Sequence, residues 1–281
     1  MEIIKEDIQL TEWEATLDEL ISSLPETKYP YIDDIYVKFT KDLSLFSAIK
    51  LIDAYNEIIT TAKYCLSNGC QFNHLAYQKR ESDGTRIYDK QAQYVMNLHE
   101  LKSAIVWYNS AMDYLLQVIY FGFGFHGNIR SNERYQKEQK KVMWNDKNVF
   151  YITFKNFAAT NTYAKAVFDR YNSTFKNKHL KTIRKLANHM KHHGGFDLKE
   201  YPKDYREDME IRLSNYLQSF SEITKRDTIS YKEIVCSLIG AHTAIIGLGD
   251  YIIEQLGLTT EIFDMSNPQR LQKFIYKKNN A

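Results

Sequence analysis

Proline and glycine are scarce in this chain, with 4 prolines and 11 glycines among 281 residues. Sheet proteins need many tight turns, and these two residues supply the backbone geometry of most of them. Their scarcity therefore disfavours a sheet. Apolar residues recur at helical spacing along most of the chain, without an internal repeat, a low-complexity tract or a convincing strand. We predict an all-α fold, a helical bundle with a long central helix.

Cysteine is also scarce, and its pattern disfavours two kinds of site. Cys65, Cys70 and Cys236 are an odd number and include no Cys-x-x-Cys pair. A disulfide framework and a paired-cysteine metal or redox site are therefore disfavoured. The first residues contain no basic segment followed by an apolar one, which is the pattern of a signal peptide. We expect a cytoplasmic protein with free thiols.

Long apolar runs without polar residues are missing as well. Residues 104–125 are the one stretch whose length and apolar character suggest a membrane span. Three polar residues, Asn109, Asp113 and Gln117, interrupt its centre, and a bilayer core disfavours them. We therefore expect no membrane association.

Helix signals divide the chain into successive elements. Residues 11–14 and 230–233 match the capping box that opens helices. The helices predicted from periodicity and end signals cover 11–24, 42–66, 87–121, 149–171, 178–193, 202–220 and 230–257, with 122–147 irregular. We divide the chain into an N-terminal helical segment (1–85), a helical bundle (86–258) and a basic C-terminal tail (259–281).

Charge is distributed unevenly despite a formal net value of +2. Residues 1–34 carry ten acidic residues against two lysines, whereas residues 170–196 carry seven Lys or Arg and four of the eight histidines but no Asp or Glu. The acidic and basic segments are either two solvated surfaces or two surfaces that face each other. An acid-free cationic run favours an anionic ligand, such as a phosphate backbone or a nucleotide.

The predicted basic helix has an apolar side and a polar side. Its apolar stripe consists of Leu180, Ile183, Leu186, Ala187 and Met190. Its polar side consists of Arg184, Asn188, Lys191 and His192, which share an arc of about 100°, while His189 lies about 140° from Arg184. Arginine grips two phosphate oxygens, asparagine orients the group and neutral histidine accepts a proton. These residue types on one arc are suited to binding phosphate.

The predicted central helix carries a polar stripe formed by Asn109, Asp113 and Gln117. A carboxylate on so apolar a helix needs a cationic or hydrogen-bonding partner if it is buried. Arg184 and Lys191 are candidates. Two interpretations of Asp113 remain open. It could form a buried ion pair that fixes two helices in register, or it could contribute to a functional site.

Other patterns point to structural roles. Residues 122–127 match G-x-G-x-x-G, but they follow a predicted helix rather than a strand and therefore favour a helix-ending turn over a dinucleotide site. His189 and His193 have metal-ligand spacing, but no neighbouring acid or cysteine completes the set, so we expect no metal. His242 is predicted to be a hydrogen-bonded core histidine.

At Arg184-Lys-Leu-Ala-Asn-His189 the chain resembles the HEPN superfamily, a group of all-α domains common in microbial defence and toxin systems. The family signature is an arginine and a histidine separated by four to six residues near a helix end. Residues 191–195 are similar to the family's usual helix exit, and the resemblance covers about residues 100–196. It implies a ribonuclease that needs no metal or other cofactor and that takes its motif residues from two halves of a homodimer.

The resemblance also implies roles for individual residues. Arg184 would stabilise the charged phosphorane, and His189 would assist transfer of the 2′-hydroxyl proton. Beyond what the resemblance implies, we expect Asn188, Lys191 and His192 to position the phosphate, and Asp113 and Asn109 to support Arg184 from the neighbouring helix. On a straight helix Arg184 and His189 cannot both hold one phosphate, so either the helix frays at His189 or a second protomer completes the site.

Two hypotheses about function follow from these patterns. The first is a HEPN-like, metal-independent ribonuclease, with a place in phage defence or toxin systems that the resemblance implies. The alternative is a non-catalytic all-α module that binds RNA, a nucleotide or a partner protein through the same helix.

Overall fold

A computed structural model gives the fold of this chain. It describes residues 16–29, 43–71, 78–80, 82, 86–88, 90–127, 129, 131–193, 195–200, 227–256, 258–261 and 273–276. The predicted cap at Thr11, the predicted helix over 202–220 and most of the acidic segment lie outside these residues.

Helices account for most of the described residues, which confirms the all-α prediction. They are α1 (16–22), α2 (Leu43–Cys70), α3 (Lys90–Gly122), α4 (Asn132–Gln139), α5 (Val149–Ala158), α6 (Thr162–Phe175), α7 (Lys178–His193) and α8 (Tyr231–Gln255). The central helix α3 is the longest of these, at 33 residues. Helix α2 continues four residues past the predicted end at Leu66.

Short strands are present, so the prediction of no strand was wrong in detail. They are β1 (Gln78–Arg80), β2 (Arg86–Tyr88), β3 (Phe196–Leu198), β4 (Asp227–Ile229), β5 (Leu258–Glu261) and β6 (Lys273–Tyr276). They form three separate pairs, of which β1–β2 and β5–β6 are antiparallel and β3–β4 is parallel. Strands of three or four residues are too short for alternation of polar and apolar residues to be recognised.

Two secondary-structure predictions between residues 122 and 175 were wrong. Helix α4 occupies part of the stretch predicted to be irregular, where the Ser131 Oγ accepts a hydrogen bond from the Arg134 N–H. The helix predicted over 149–171 is two helices, because Asn161 starts a new one. The Asn161 Oδ1 accepts a hydrogen bond from the Ala164 N–H at 2.9 Å, and this asparagine cap was not recognised in the sequence.

Helix α7 has the bounds that the sequence predicted, Lys178 to His193. At its start the Asn177 Oδ1 accepts a hydrogen bond from the His179 N–H at 2.8 Å. Beyond its end Gly195 adopts a φ of +101°. A residue with a side chain is disfavoured in that conformation, so glycine lets the chain leave the helix at low steric cost.

Helix α8 begins where the sequence predicted, but a carboxylate from another part of the chain caps it. Glu200 accepts hydrogen bonds from the Ser230 hydroxyl and from the Tyr231 N–H, each at 2.9 Å. A carboxylate is stabilised there by the positive end of the helix dipole. The capping box at residues 230–233 predicts Glu233 as the capping carboxylate, and Glu200 takes that place in the structure.

Helix α8 is a different candidate for a membrane span from the stretch that the sequence indicated. Among the described residues α8, rather than 104–125, has the length and apolar composition of a membrane span, and 61% of its most apolar window is buried.

The chain divides into two compact units, each assembled from three stretches of sequence. The first unit comprises 1–24, 61–107 and 181–241. Its core includes Leu66, Leu101, Ile183, Phe196 and Leu238.

Within the first unit, α2 packs closely at Gly69. A Cβ on Gly69 would stand 2.8 Å from the Leu101 side chain, and the Gly69 carbonyl accepts a hydrogen bond from the Tyr231 hydroxyl at 2.9 Å. Close packing of α2 therefore requires glycine at this position.

The second unit comprises 25–60, 108–180 and 242–281. Its core is rich in aromatic side chains, among them Tyr55, Tyr108, Phe121, Phe154 and Tyr171. The Trp144 ring lies 4.4 Å from the Tyr171 ring, centroid to centroid. A Cβ on Gly249 would overlap the Tyr55 hydroxyl.

The division of the chain into segments with boundaries at residues 85 and 258 stays a prediction.

Candidate anion-binding surface on helix α7

The part of α7 in the first unit has two distinct sides. On the inner side Ile183 is fully buried and Leu186 is 9% exposed, as the predicted apolar stripe requires. The outer side consists of exposed residues, which are Lys181, Lys185, Asn188, Lys191 and His192. Because no acid occurs between residues 170 and 196, every side chain on the outer side is cationic or neutral.

Three lysines lie on the outer side, namely Lys181, Lys185 and Lys191. None of them forms an ion pair with any described residue. An ammonium group in that state can neutralise a phosphate and thereby release the cations that are condensed on a nucleic acid. The outer side of α7 is therefore suited to binding phosphate groups.

Arg184 and His189 are each half-buried, at the border between the two sides of α7. Helix α7 is α-helical without interruption from Lys178 to His193, so it does not fray at His189. Five residue steps of an ideal helix turn the two side chains about 140° apart. Of the two alternatives left open by the sequence, fraying is therefore excluded, and one copy of this helix cannot direct both groups at a single phosphate.

Lys102 of α3 adds a cation at the carboxyl end of α7, which the sequence did not predict. Its Nζ lies 5.2 Å from the centroid of the Phe196 ring and 3.5 Å from where a Cβ on Gly195 would stand. Gly195 follows His192 by three residues, so their Cα atoms are no more than about 11 Å apart. The negative end of the helix dipole favours a cation at this position. No local pattern links two residues so far apart in sequence.

Asn109 and Asp113 lie on α3 in the second unit, where Asn109 is half-buried and Asp113 is exposed. The interpretation of Asp113 as half of a buried ion pair was therefore wrong, because an exposed carboxylate loses little of its hydration. Gln117, the third member of the polar stripe, accepts a hydrogen bond from the Gln139 Nε2 at 3.0 Å. Support of Arg184 by Asn109 and Asp113 stays a prediction.

Two histidines, His179 and His242, do not belong to the outer side of α7, and the groups that surround each of them in the fold are as follows. The His242 ring is 2% exposed and lies between the Tyr108 hydroxyl, 2.9 Å from its Nδ1, and the Pro25 carbonyl, 2.8 Å from its Nε2. Since a carbonyl only accepts, Nε2 carries the proton in the neutral ring and Nδ1 accepts from the tyrosine. This confirms the prediction of a hydrogen-bonded core histidine. Burial, and then the charge of Lys178, lower the pKa of His179.

Two other kinds of site receive no support from the geometry. Within the described part of the chain, no group of three His, Cys, Asp or Glu side chains is arranged to hold a metal ion. Residues 122–127 end α3 rather than following a strand, as expected for a helix-ending turn, with Gly124 at a φ of +70°.

Two of the cysteines are buried in the fold. Burial raises the pKa of the Cys65 thiol to about 11 and that of the Cys70 thiol to about 12. Both thiols are therefore protonated and unreactive at neutral pH.

A second polar feature belongs to the second unit. An open groove of about 460 Å³ is lined by Tyr114, Gln117, Gln136, Gln139 and Lys140. It contains no residue of α7 and is formed by α3, α4 and the residue that follows α4. The sequence did not predict the groove, because residues 132–139 were not recognised as a helix.

No protein-family model, curated protein or solved structure matches the chain. The resemblance to the HEPN superfamily therefore rests on Arg184, His189 and the helix exit.

Proposed function

We propose that this chain is a HEPN-like protein that acts on RNA through the outer side of α7 and cleaves it, without a metal, as a homodimer. The observation that carries the proposal is the exposed, acid-free side of a continuous helix, on which Lys181, Lys185 and Lys191 have no described anionic partner. Phosphate groups supply the charge that this surface lacks, and counterion release drives their binding.

The cleavage step assigns one role to each motif residue. His189 accepts the proton of the ribose 2′-hydroxyl, whose oxygen attacks the neighbouring phosphorus. The bond from phosphorus to the 5′-oxygen breaks, and the leaving oxygen takes up a proton from water, which gives a 2′,3′-cyclic phosphate and a free 5′-hydroxyl. Arg184 binds the two non-bridging oxygens while negative charge accumulates on them.

Two copies of the chain are needed for this chemistry. Because about 140° separates Arg184 from His189 on one helix, the arginine of one copy acts with the histidine of the other. A two-fold axis would bring the same surface of each copy together and generate two equivalent sites. The phosphate is positioned by the residues that share an arc with Arg184, which are Asn188, Lys191 and His192.

The divergence of Arg184 and His189 also favours a second candidate function. A single copy offers a cationic surface without a convergent catalytic pair, which is the arrangement of a non-catalytic RNA-binding module. Such a module would bind RNA with the same dependence on salt but would leave it intact.

Cleavage in the presence of EDTA separates the two candidates. Structured and unstructured RNAs are incubated with the wild-type chain, Arg184→Ala, His189→Ala and a control, Lys165→Ala, which alters an exposed lysine of α6. The ribonuclease proposal expects 2′,3′-cyclic phosphate ends from the wild type and the control only. Salt-sensitive binding without cleavage would support the module, and absence of both binding and cleavage would contradict the two candidates together.

A further inference from the structure

The groove between α3 and α4 has unused hydrogen-bonding capacity on defined atoms. The Gln139 Nε2 donates to the Gln117 Oε1 at 3.0 Å and to the Tyr135 hydroxyl at 3.2 Å, so both of its hydrogens are engaged. The Gln117 Nε2 and the Gln139 Oε1 have no partner among the described residues. One donor group and one acceptor group are therefore open on a linked pair of amides.

Three contacts fix the shape of the groove by holding α4 against α3. The Tyr120 hydroxyl donates to the Glu138 Oε2 at 2.6 Å, and the Phe121 and Tyr135 rings are stacked with centroids 5.0 Å apart. The Gln117–Gln139 hydrogen bond is the third contact. A groove held in this way needs little ordering when a ligand binds, which lowers the entropic cost of binding.

Aromatic surface and positive charge complete the lining. Gln136, Gln139 and Lys140 are spaced i, i+3 and i+4, which places them on one side of α4 and its C-terminal cap. Tyr114 stands three residues before Gln117 on α3. Lys140 is exposed and forms no ion pair with a described residue.

Tyr114, which lines the groove, is a neighbour of the Tyr135 phenol. Burial, and then the nearby Tyr114 phenol, raise the pKa of Tyr135. The Tyr135 hydroxyl also accepts the second hydrogen bond from Gln139. The open amide groups therefore lie beside aromatic surface.

We propose that this groove binds a nucleoside monophosphate, with the hydrogen-bonding edge of its base on Gln117 and Gln139 and its phosphate on Lys140. The open donor of Gln117 and the open acceptor of Gln139 are the two kinds of group that pair with the edge of a nucleobase, as the amide of a glutamine pairs with adenine. Tyr114 supplies aromatic surface for the base, and a volume of about 460 Å³ is in the range of small-ligand sites. The site shares no residue with α7 and does not depend on the proposed ribonuclease activity.

Calorimetric titration of the full chain tests this proposal with a panel of probes. The panel contains the four common nucleoside monophosphates, the matching nucleosides and inorganic phosphate. We expect at least one monophosphate to bind more tightly than its nucleoside, and phosphate alone to bind more weakly than either. Absence of binding by every nucleotide, or phosphate binding as tightly as the nucleotides, would overturn the proposal.

Two variants separate the base from the phosphate. Lys140→Gln should weaken binding of the monophosphate by roughly 3- to 10-fold and leave the nucleoside unchanged, as expected for a lost charge-assisted hydrogen bond. Gln117→Leu should weaken both ligands, and circular dichroism would verify that the variant is folded. Unchanged binding by a folded Gln117→Leu chain would contradict contact between the base and this amide. Lys155→Gln, which alters an exposed lysine of α5, is the control.

The same titration distinguishes the groove from the surface on α7. If Arg184→Ala or Lys191→Gln removed nucleotide binding while Lys140→Gln did not, the nucleotide would bind at α7 and the groove proposal would be wrong. If Lys140→Gln weakened binding no more than Lys155→Gln, the proposal would be wrong as well. Failure of RNA cleavage with intact nucleotide binding would contradict the proposed ribonuclease alone.

Discussion

Arg184 and His189 lie on one uninterrupted helix, and the five residue steps from one to the other turn their side chains about 140° apart. This relationship decides what a ribonuclease site on α7 would need. Neither residue can be brought to the other by fraying, because α7 is helical to His193. The second half of such a catalytic pair must come from another copy of the chain.

A complementation experiment follows from this requirement. When Arg184→Ala and His189→Ala chains are mixed, a mixed dimer retains one site with both an intact arginine and an intact histidine. Random exchange of equal amounts should restore about a quarter of the wild-type cleavage activity, since half of the dimers are mixed and each has one working site of two. Cleavage of labelled RNA, measured after the chains are mixed and allowed to exchange, checks the prediction.

Each variant alone is the control for the mixture. No recovery of cleavage on mixing, with dimers verified by light scattering, would contradict a site shared between copies.

Lys102 should contribute to binding of polyanions although it lies on another helix. Its Nζ stands beside the exit of α7, next to Phe196 and Gly195. Replacement by glutamine should make the slope of log K against log salt shallower by about 0.7 for single-stranded RNA, the value for one phosphate contact. Binding measured by fluorescence anisotropy over a range of salt concentrations gives the slope, with Lys155→Gln as the control. An unchanged slope would place Lys102 outside the surface.

Glu138 should make the second unit sensitive to acid. The hydrogen bond that Glu138 accepts from the Lys141 ammonium, and then the one that it accepts from the Tyr120 hydroxyl, lower its pKa below the ordinary value. The stabilisation from a lowered pKa is present above the pKa of the unfolded state and is lost as the pH falls through the folded-state value. Glu138→Gln should therefore lower the free energy of unfolding by about 1–2 kcal/mol at pH 7, and by less at pH 3.

Urea unfolding at the two pH values measures this difference. Glu133→Gln is the matched control, because Glu133 forms an exposed ion pair with Lys137 on the same helix and should have a smaller effect. Equal destabilisation by Glu138→Gln at pH 7 and pH 3 would show that the Glu138 charge contributes nothing.

Tyr108→Phe should destabilise the core around His242. The substitution removes the hydroxyl that donates a hydrogen bond to the buried His242 Nδ1 at 2.9 Å, and an unsatisfied buried acceptor costs about 1–3 kcal/mol. Thermal or urea unfolding measures the loss. The matched control is Tyr163→Phe, where 51% of the residue is exposed and little change is expected. Equal stability of the two variants would mean that this hydrogen bond is not stabilising.

Long-range contacts account for most of what the sequence could not predict. The bounds of α7 were predictable because Gly194-Gly195 follows a strongly periodic segment. The break between α5 and α6 was not, since its signal is a single asparagine. Glu200 caps α8 from 30 residues away, and Lys102 reaches Gly195 from another helix. Neither relationship leaves a local pattern.

The exposed residues of α7 were predictable from the sequence, whereas the groove between α3 and α4 was not. Exposure of Lys191 and His192 follows from the helical arc that the sequence predicts, and the structure agrees. The groove at Gln117 and Gln139 was missed because Gln117 indicates only a polar stripe on the central helix and residues 132–139 were not recognised as a helix. Only the packing of α4 on α3 brings the two amides together.

The most direct test of the account is the dependence of RNA binding on salt. One variant replaces Lys181, Lys185 and Lys191 with glutamine, and a control variant of the same net charge replaces three exposed lysines outside α7, which are Lys147, Lys155 and Lys165. For single-stranded RNA the slope of log K against log salt should become shallower by about 2 in the α7 variant if all three lysines contact phosphates. The control variant should keep the wild-type slope. Equal slopes for the two variants would contradict binding of RNA at α7.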